Sequence, residues 1–189
     1  MQTGNDGKAR LGALLPAGVA LAAAVAVVVG YTYLHAPRAT RVHVGEMAPD
    51  FTLPSIVRGD PPVRLSGRRG GPTMLVLFDS RTPGNDSYFL TLQRLHAKYF
   101  RYGLSVIAVA VDPTAAALPT FADRSGVTFT ILTDPFAAVL HTAYGTPVDP
   151  EAYLIDREGR VVAVYTQRID PDTYEFQRLM MKNLGLPGR

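Results

Sequence analysis

The feature that most constrains this chain is a buried strand followed by a polar loop and an amphipathic helix. Leu75–Phe78 is an unbroken apolar run, and Thr82–Asn85 contains a Pro-Gly turn. A helix is predicted from about Ser87 to Arg101, because its apolar residues recur at helical spacing on one stripe. That stripe comprises Tyr88, Leu92, Leu95, Tyr99 and Tyr102. Leu104–Val111 is a second apolar run, typical of a strand covered on both faces, so the pattern predicts an α/β domain.

The second half of the chain predicts a helix, a hairpin and a last helix. Asp134 precedes a proline, which predicts a helix that starts there and ends at Gly145. The side chains expected to face inward from it are Phe136, Val139, Leu140 and Ala143. Ala152–Ile155 and Val161–Tyr165 flank a turn and predict two antiparallel strands. The segment Asp170–Asp172 is expected to cap the last helix.

Two short motifs carry a resemblance to a known family. Val44–Leu53 reads VGEMAPDFTL, which resembles the VGxxAPDFTL opening of the AhpC/TSA and redoxin families. The loop TPGN at Thr82–Asn85 is similar to the TPGC of peroxiredoxin Q. The resemblance covers about residues 44 to 185. It implies a thioredoxin-like fold for residues 44–189, with a central mixed sheet flanked by helices. It also implies that Pro150 is the cis-proline that faces the active-site loop in such proteins.

The loop lacks the atom that the family's chemistry requires. In peroxiredoxins, which this region resembles, the threonine matched by Thr82 hydrogen-bonds the peroxide, and a cysteine stands where this chain has Asn85. A TlpA-like alignment would instead put Pro83 and Asp86 at the two cysteine positions. The chain contains no cysteine, and a thiolate is the nucleophile in both peroxide reduction and disulfide exchange. We therefore predict no catalytic residue, and we interpret the active-site loop as vestigial. That loop comprises Thr82, Pro83, Gly84 and Asn85.

Two functions remain open at this stage. The first is a non-catalytic binding or scaffold module in envelope redox or protein-maturation processes, with a protein as its partner. The second is a peroxiredoxin-like antioxidant oxidoreductase that acts through a partner's cysteine or by another mechanism. The expected binding groove comprises Arg81, Thr82, Asn85, Pro150 and Glu151, so it should favour polar or charged partners. The plainer interpretation is that Pro83-Gly84 makes a turn and that Asn85 or Asp86 caps the following helix.

Composition argues against several other functions. The formal net charge is only +3, and no block of Lys and Arg supports nucleic-acid binding. The four histidines have no paired metal-ligand spacing, and the aspartates near the predicted strand ends are expected to serve in turns and caps. No phosphate-binding or dinucleotide-binding glycine motif is present. We therefore expect no metal, no cofactor and no nucleic acid.

The N-terminal segment predicts a single-pass membrane anchor. After a tail of residues 1–10, Leu11–Leu34 has no charged side chain and is long enough to span a hydrocarbon core of about 30 Å. A cleaved signal peptide is the alternative, although its apolar region is usually shorter. Residues 35–43 are expected to form a linker. Basic residues flank both ends of the span, so the short tail is what favours an extracytoplasmic domain.

Overall fold

A five-stranded mixed sheet organises the computed structural model, which describes residues 41–112, 114–145 and 149–187. The strands are β1 (Thr52–Leu53), β2 (Val63–Arg64), β3 (Thr73–Phe78), β4 (Ser105–Ala110), β5 (Thr130–Thr133), β6 (Glu151–Ile155) and β7 (Val161–Tyr165). The α-helices are α1 (Asn85–Tyr99), α2 (Leu118–Ser125), α3 (Leu140–Tyr144) and α4 (Tyr174–Leu184). β1 and β2 form a separate antiparallel pair. The predicted α/β class and the predicted hairpin are confirmed.

The sheet order β5-β4-β3-β6-β7 brings two distant loops together. β3, β4 and β5 run parallel, so their carboxyl ends lie at one edge of the sheet. β6 is antiparallel to β3, with Glu151 opposite Leu77. The segment that enters β6 therefore lies beside the loop that leaves β3. This edge, called the carboxyl edge below, holds the loop that the sequence singles out.

Both faces of the sheet are covered by apolar side chains. All six residues of β3 are buried, as expected of a central strand. On the face covered by α1, α2 and α4, the core centres on Phe89, whose ring centroid is 4.4 Å from that of Phe78 and 4.8 Å from that of Phe121. The opposite face holds α3 and the chain that precedes β1. Rigid packing on both faces fixes where each strand ends, and so fixes the loops of the carboxyl edge.

The segment after β5 differs from the sequence prediction. Phe136 is 74% exposed and Val139 is 40% exposed, so neither faces the core, whereas Leu140 is fully buried. The helix proper begins only at Leu140, because the buried carboxylate of Asp134 accepts hydrogen bonds from the N–H groups of Val139 (3.1 Å) and Leu140 (2.8 Å). Asp134 does cap the helix, but from farther upstream than its sequence position suggests. The 3-10 turn at Pro135–Ala137 precedes this helix, so Phe136 and Val139 do not lie on the same buried face as Leu140.

The limits of two other helices also differ from their predictions. α1 begins at Asn85, with Gly84 at the N-cap position, so neither Asn85 nor Asp86 caps it. It ends at Tyr99, and a 3-10 turn follows in which Tyr102 is 40% exposed and lies outside the buried stripe. Before α4, Asp170 accepts a hydrogen bond from the Asp172 N–H at 3.0 Å, and Thr173 occupies the N-cap position. These short polar side chains form local turns ahead of the helix.

The predicted membrane anchor Leu11–Leu34 lies outside the described residues. Within residues 41–112, 114–145 and 149–187, no helix has both the length and the apolar character that crossing a membrane requires. The anchor, the linker and their boundaries therefore stay predictions from the sequence.

Candidate functional site

The candidate site lies at the carboxyl edge, between the loop that leaves β3 and the segment that enters β6. The peptide bond between Asp149 and Pro150 is cis, which confirms the sequence prediction for this proline. Asp149 is joined to the loop across 70 positions of sequence, since one of its carboxylate oxygens accepts a hydrogen bond from the Asp79 N–H at 3.2 Å. The loop and the cis-proline segment thus form one hydrogen-bonded unit.

Asn85 joins the two segments through its side-chain amide. The residue is fully buried, and its Nδ2 donates hydrogen bonds to the carbonyl oxygen of Asp79 at 2.8 Å and to Oδ1 of Asp149 at 3.1 Å. Asn85 Oδ1 and Asp149 Oδ2 are also buried, and neither has a hydrogen-bond partner among the described residues. Buried amide and carboxylate atoms are costly to leave unpaired, so removal of the Nδ2 donor would strand Asp149 further. The amide holds the loop against the cis-proline segment.

The backbone of the loop is fixed by tight turns and by a distant arginine. The Asn85 N–H donates to the Thr82 carbonyl, and Gly84 has a φ of +86°, a conformation that favours glycine. Arg168, 85 positions away in sequence from Pro83, donates from Nη2 to the Pro83 carbonyl at 2.7 Å. A Cβ atom on Gly84 would lie only 2.6 Å from that Nη2. Glycine at position 84 therefore serves both the turn and the close approach of Arg168.

The aspartates of the carboxyl edge are occupied by protein donors. Asp112 is 2% exposed and accepts hydrogen bonds from the N–H of Ser80 at 3.0 Å and from the Ser80 hydroxyl. Asp134 is equally buried and caps α3, as described above. Among the described residues, no three His, Asp or Glu side chains converge as a metal ion would require. The carboxylates of Asp112 and Asp134 therefore act as structural hydrogen-bond acceptors.

Arg81 and Asp79 supply the surface charge of the loop. The guanidinium of Arg81 pairs with the Asp79 carboxylate, and hydrogen bonds from Arg81 hold the pKa of that carboxyl below its usual value. The Arg81 side chain keeps 63% of its surface exposed. A pair so open to solvent contributes little to stability. The Arg81 guanidinium places a positive charge at the surface of the loop that the Asn85 amide holds.

Several tyrosines and one glutamate are buried in the interior of the domain. Glu151 is fully buried at the start of β6. Burial, and then the neighbouring Glu151, raises the pKa of Tyr153. Burial likewise raises the pKa of Tyr144, whose hydroxyl donates to the Pro49 carbonyl at 2.7 Å, and raises the pKa of Tyr88 to about 12. None of these three tyrosines supplies a phenolate near neutral pH.

The predicted groove residues are adjacent in space but are not all at the surface. Arg81 is exposed and Thr82 is half-buried, whereas Asn85, Pro150 and Glu151 are buried. The expectation that Asn85 and Glu151 line an open groove is therefore wrong, because the Asn85 amide turns inward to Asp149 and Glu151 belongs to a strand covered on both faces. Sequence reasoning missed Arg168, and no local pattern marks it, since its contact with the loop exists only in the folded chain.

Comparison with known proteins agrees with this geometry. The model of the AhpC/TSA family matches residues 44–164, which is more than half of the chain. The chain belongs to the AhpC/TSA family. It is 32% identical over 127 residues to the thiol-disulfide oxidoreductase ResA of Geobacillus thermodenitrificans, a match that spans 67% of this chain and 71% of ResA. It is 28% identical over 142 residues to the chloroplastic peroxiredoxin Q of Triticum aestivum, spanning 71% of this chain and 64% of that protein.

A solved structure supports the thioredoxin-like fold. The thiol:disulfide interchange protein DsbE of Chlorobium tepidum superposes with a TM-score of 0.68 and 27% identity. The superposition covers 76% of this chain and 99% of the DsbE chain. The resemblance inferred from the two sequence motifs is thereby confirmed at the level of family and fold. The chain is thus a cysteine-free member of a family to which a thiol-disulfide oxidoreductase and a peroxiredoxin are similar.

The inward-facing amide of Asn85 generates a stability prediction. Asn85→Asp places a second carboxylate beside that of Asp149 and removes the donor, so we expect a loss of about 2–3 kcal/mol in the free energy of unfolding at pH 7. Burial and repulsion would raise the pKa of the new carboxyl in the folded state above its unfolded value of about 3.9. The folded state would then bind the proton more tightly, so the loss should shrink as the pH falls from 7 to about 4.5. Urea denaturation of the wild type and of Asn85→Asp at both pH values measures this difference in the free energy of unfolding.

A reciprocal variant provides the control for this prediction. Asp149→Asn in the Asn85→Asp background exchanges the two groups and restores one donor and one acceptor between positions 85 and 149. Part of the lost stability at pH 7 should return. A double variant no more stable than Asn85→Asp alone would contradict the direct amide–carboxylate contact.

Proposed function

We propose that this protein is a non-catalytic thioredoxin-like module that binds a protein partner at the carboxyl edge. The chain retains the fold of the thiol-disulfide oxidoreductase relatives without any thiol. Its role would then be to hold or orient a partner in redox or protein-maturation processes of the envelope. The observation that carries the proposal is the buried amide of Asn85, which occupies the expected cysteine position and forms hydrogen bonds with Asp79 and Asp149.

The buried amide of Asn85 supports a binding function rather than catalysis by an alternative mechanism. A nucleophile must be accessible to its substrate and able to donate an electron pair. Asn85 is a neutral carboxamide, is fully buried and uses its Nδ2 to hold the loop closed. A loop fixed in this way is preorganised, and a rigid surface loses less conformational entropy when a partner binds.

The contact surface that follows from the geometry differs from the predicted groove, because it leaves out the buried residues Asn85, Pro150 and Glu151. It comprises the exposed or half-buried residues Arg81, Thr82, Pro83 and Gly84, together with Arg168. Arg168 joins no ion pair among the described residues, and Arg81 pairs only with Asp79. Two arginines beside a proline-glycine turn fit a partner segment that carries carboxylates, because guanidinium groups bind carboxylates in bidentate geometry.

The proposal includes attachment to a membrane through Leu11–Leu34. The support is the uncharged length of this segment and the short tail that precedes it. An anchor would confine the module to one surface and raise the effective concentration of any partner in the same membrane. The folded domain would lie on the extracytoplasmic side.

We expect the purified protein to show neither thiol peroxidase nor disulfide reductase activity. The reason is the absence of any thiol, which removes both the nucleophile and the resolving group. The assays are hydrogen peroxide consumption and insulin reduction with dithiothreitol, corrected for dithiothreitol alone. The ResA of Geobacillus thermodenitrificans serves as the cysteine-containing control. Turnover above the blank that follows the protein through further purification would contradict the proposal.

A crosslinking experiment tests where the partner binds. The photoreactive amino acid p-benzoylphenylalanine at position 81 should capture a partner in the native membrane, because Arg81 is exposed beside the loop. The same residue at position 101, an exposed arginine beyond the carboxyl end of α1, is the matched control and should not capture that partner. Gly84→Ala should weaken capture from position 81, since the added Cβ displaces Arg168. Equal capture from both positions would place the interface elsewhere.

Membrane attachment is tested separately. We expect the mature protein to stay in the pellet after alkaline carbonate extraction and to have the intact mass of the full chain, because Leu11–Leu34 is long enough to span the bilayer. Deletion of residues 11–34 should release it. A soluble product that begins near Pro37 would show that the segment is a cleaved signal peptide.

A further inference from the structure

A second concave site lies at the other end of α1, away from the carboxyl edge. It is a surface cavity of about 450 Å³, open to solvent, between the end of α1 and the starts of β4 and β5. Its lining includes Arg68, Gln93, His96, Phe100, Ser105 and Phe129. Cavities of this size accept small organic molecules. The proposed binding surface at the carboxyl edge shares none of these residues.

Three aromatic rings form the apolar part of this cavity. The ring of His96 is 5.0 Å from that of Phe100 and 6.0 Å from that of Phe129, measured between centroids. Phe129 is buried beneath the cavity, whereas Phe100 is 66% exposed. Burial lowers the pKa of His96, so its ring is mainly neutral at pH 7 and acts as an aromatic surface. The exposed face of Phe100 is costly to leave in water and favours a flat apolar ligand.

Among the polar side chains that line the cavity, Arg68 carries the charge that a ligand could bind. Three hydrogen bonds join Gln93 and Thr128. The Thr128 N–H donates to Gln93 Oε1 at 2.9 Å, Gln93 Nε2 donates to the Thr128 hydroxyl at 3.0 Å, and that hydroxyl donates to Gln93 Oε1 at 3.4 Å. This wall is therefore fixed and largely satisfied. Arg68 is exposed and joins no ion pair among the described residues. A carboxylate on the ligand would give this guanidinium a bidentate partner.

We propose that the cavity binds a planar aromatic carboxylate, with its ring against Phe100 and His96 and its carboxylate at Arg68. The ring would cover the exposed face of Phe100 in a stacked or edge-to-face arrangement. The carboxylate would stay at the rim of the cavity, where the arginine is in contact with water. The site would give the protein a small-molecule ligand in addition to its proposed protein partner.

Equilibrium dialysis of the full-length protein with 2-naphthoate tests the proposal. Naphthoate fluorescence reports the bound fraction, and a compartment with detergent alone gives the background. We expect saturable binding that Phe100→Ala weakens about fivefold, from the loss of one aromatic contact. Arg68→Gln should weaken naphthoate binding about threefold, as for a solvent-exposed ion pair. The neutral amide 2-naphthamide should be insensitive to Arg68→Gln.

Two matched variants keep the test specific. Phe136→Ala removes another exposed phenylalanine, and Arg101→Gln removes another exposed arginine, both outside the cavity lining. Both should leave naphthoate binding unchanged, and circular dichroism checks that every variant is folded. Binding that does not saturate above the detergent background, or that Phe136→Ala weakens as much as Phe100→Ala, would overturn the proposal.

Discussion

The hydrogen bonds of the Asn85 amide are the contact on which the carboxyl edge of this protein depends. One nitrogen donates to the backbone of the loop at Asp79 and to the side chain of Asp149, and the Asp79 N–H donates back to the same carboxylate oxygen. Two of these three bonds join residues 64 and 70 positions apart in sequence, and the third closes the loop between Asp79 and Asn85. Asn85 is fully buried and Asp79 and Asp149 are half-buried, so water can replace a lost Asn85 donor only in part. The conformation of the loop follows from this small network.

The network also shows how the family's fold accommodates an asparagine at the expected cysteine position. A cysteine at this position would have to remain accessible and ionisable, and the adjacent Asp149 carboxylate would raise the pKa of such a thiol. An amide instead donates to that carboxylate and is held inside. Selection for a stable surface and selection for a reactive thiol demand opposite environments. The environment of Asn85 suits a stable surface rather than a reactive thiol, and we therefore propose a binding function.

The sequence predicted the elements of the fold more accurately than their ends. The apolar run of β3 and the spacing of the hairpin located strands correctly, since a strand buried on both faces tolerates few polar residues. The register after β5 was wrong because the Asp134 carboxylate bonds amides five and six residues ahead, which no helix template includes. Asn85 was expected at the surface because asparagine in a Pro-Gly turn usually faces solvent or caps a helix.

The chain's composition alone determined that the chain supplies no thiol of its own in any fold, because it contains no cysteine. Local sequence also determined the family, the central strand and the cis-proline, since each depends on residues close together in the chain. Only the tertiary structure decided that Asn85 points inward, that Arg168 binds the Pro83 carbonyl, and that His96, Phe100 and Phe129 line an open cavity together with Arg68. Arg168 and Pro83 are 85 positions apart in sequence, and Arg68 and Phe129 also belong to segments far apart in the chain. Contacts of this kind depend on strand order and packing, which local periodicity does not encode.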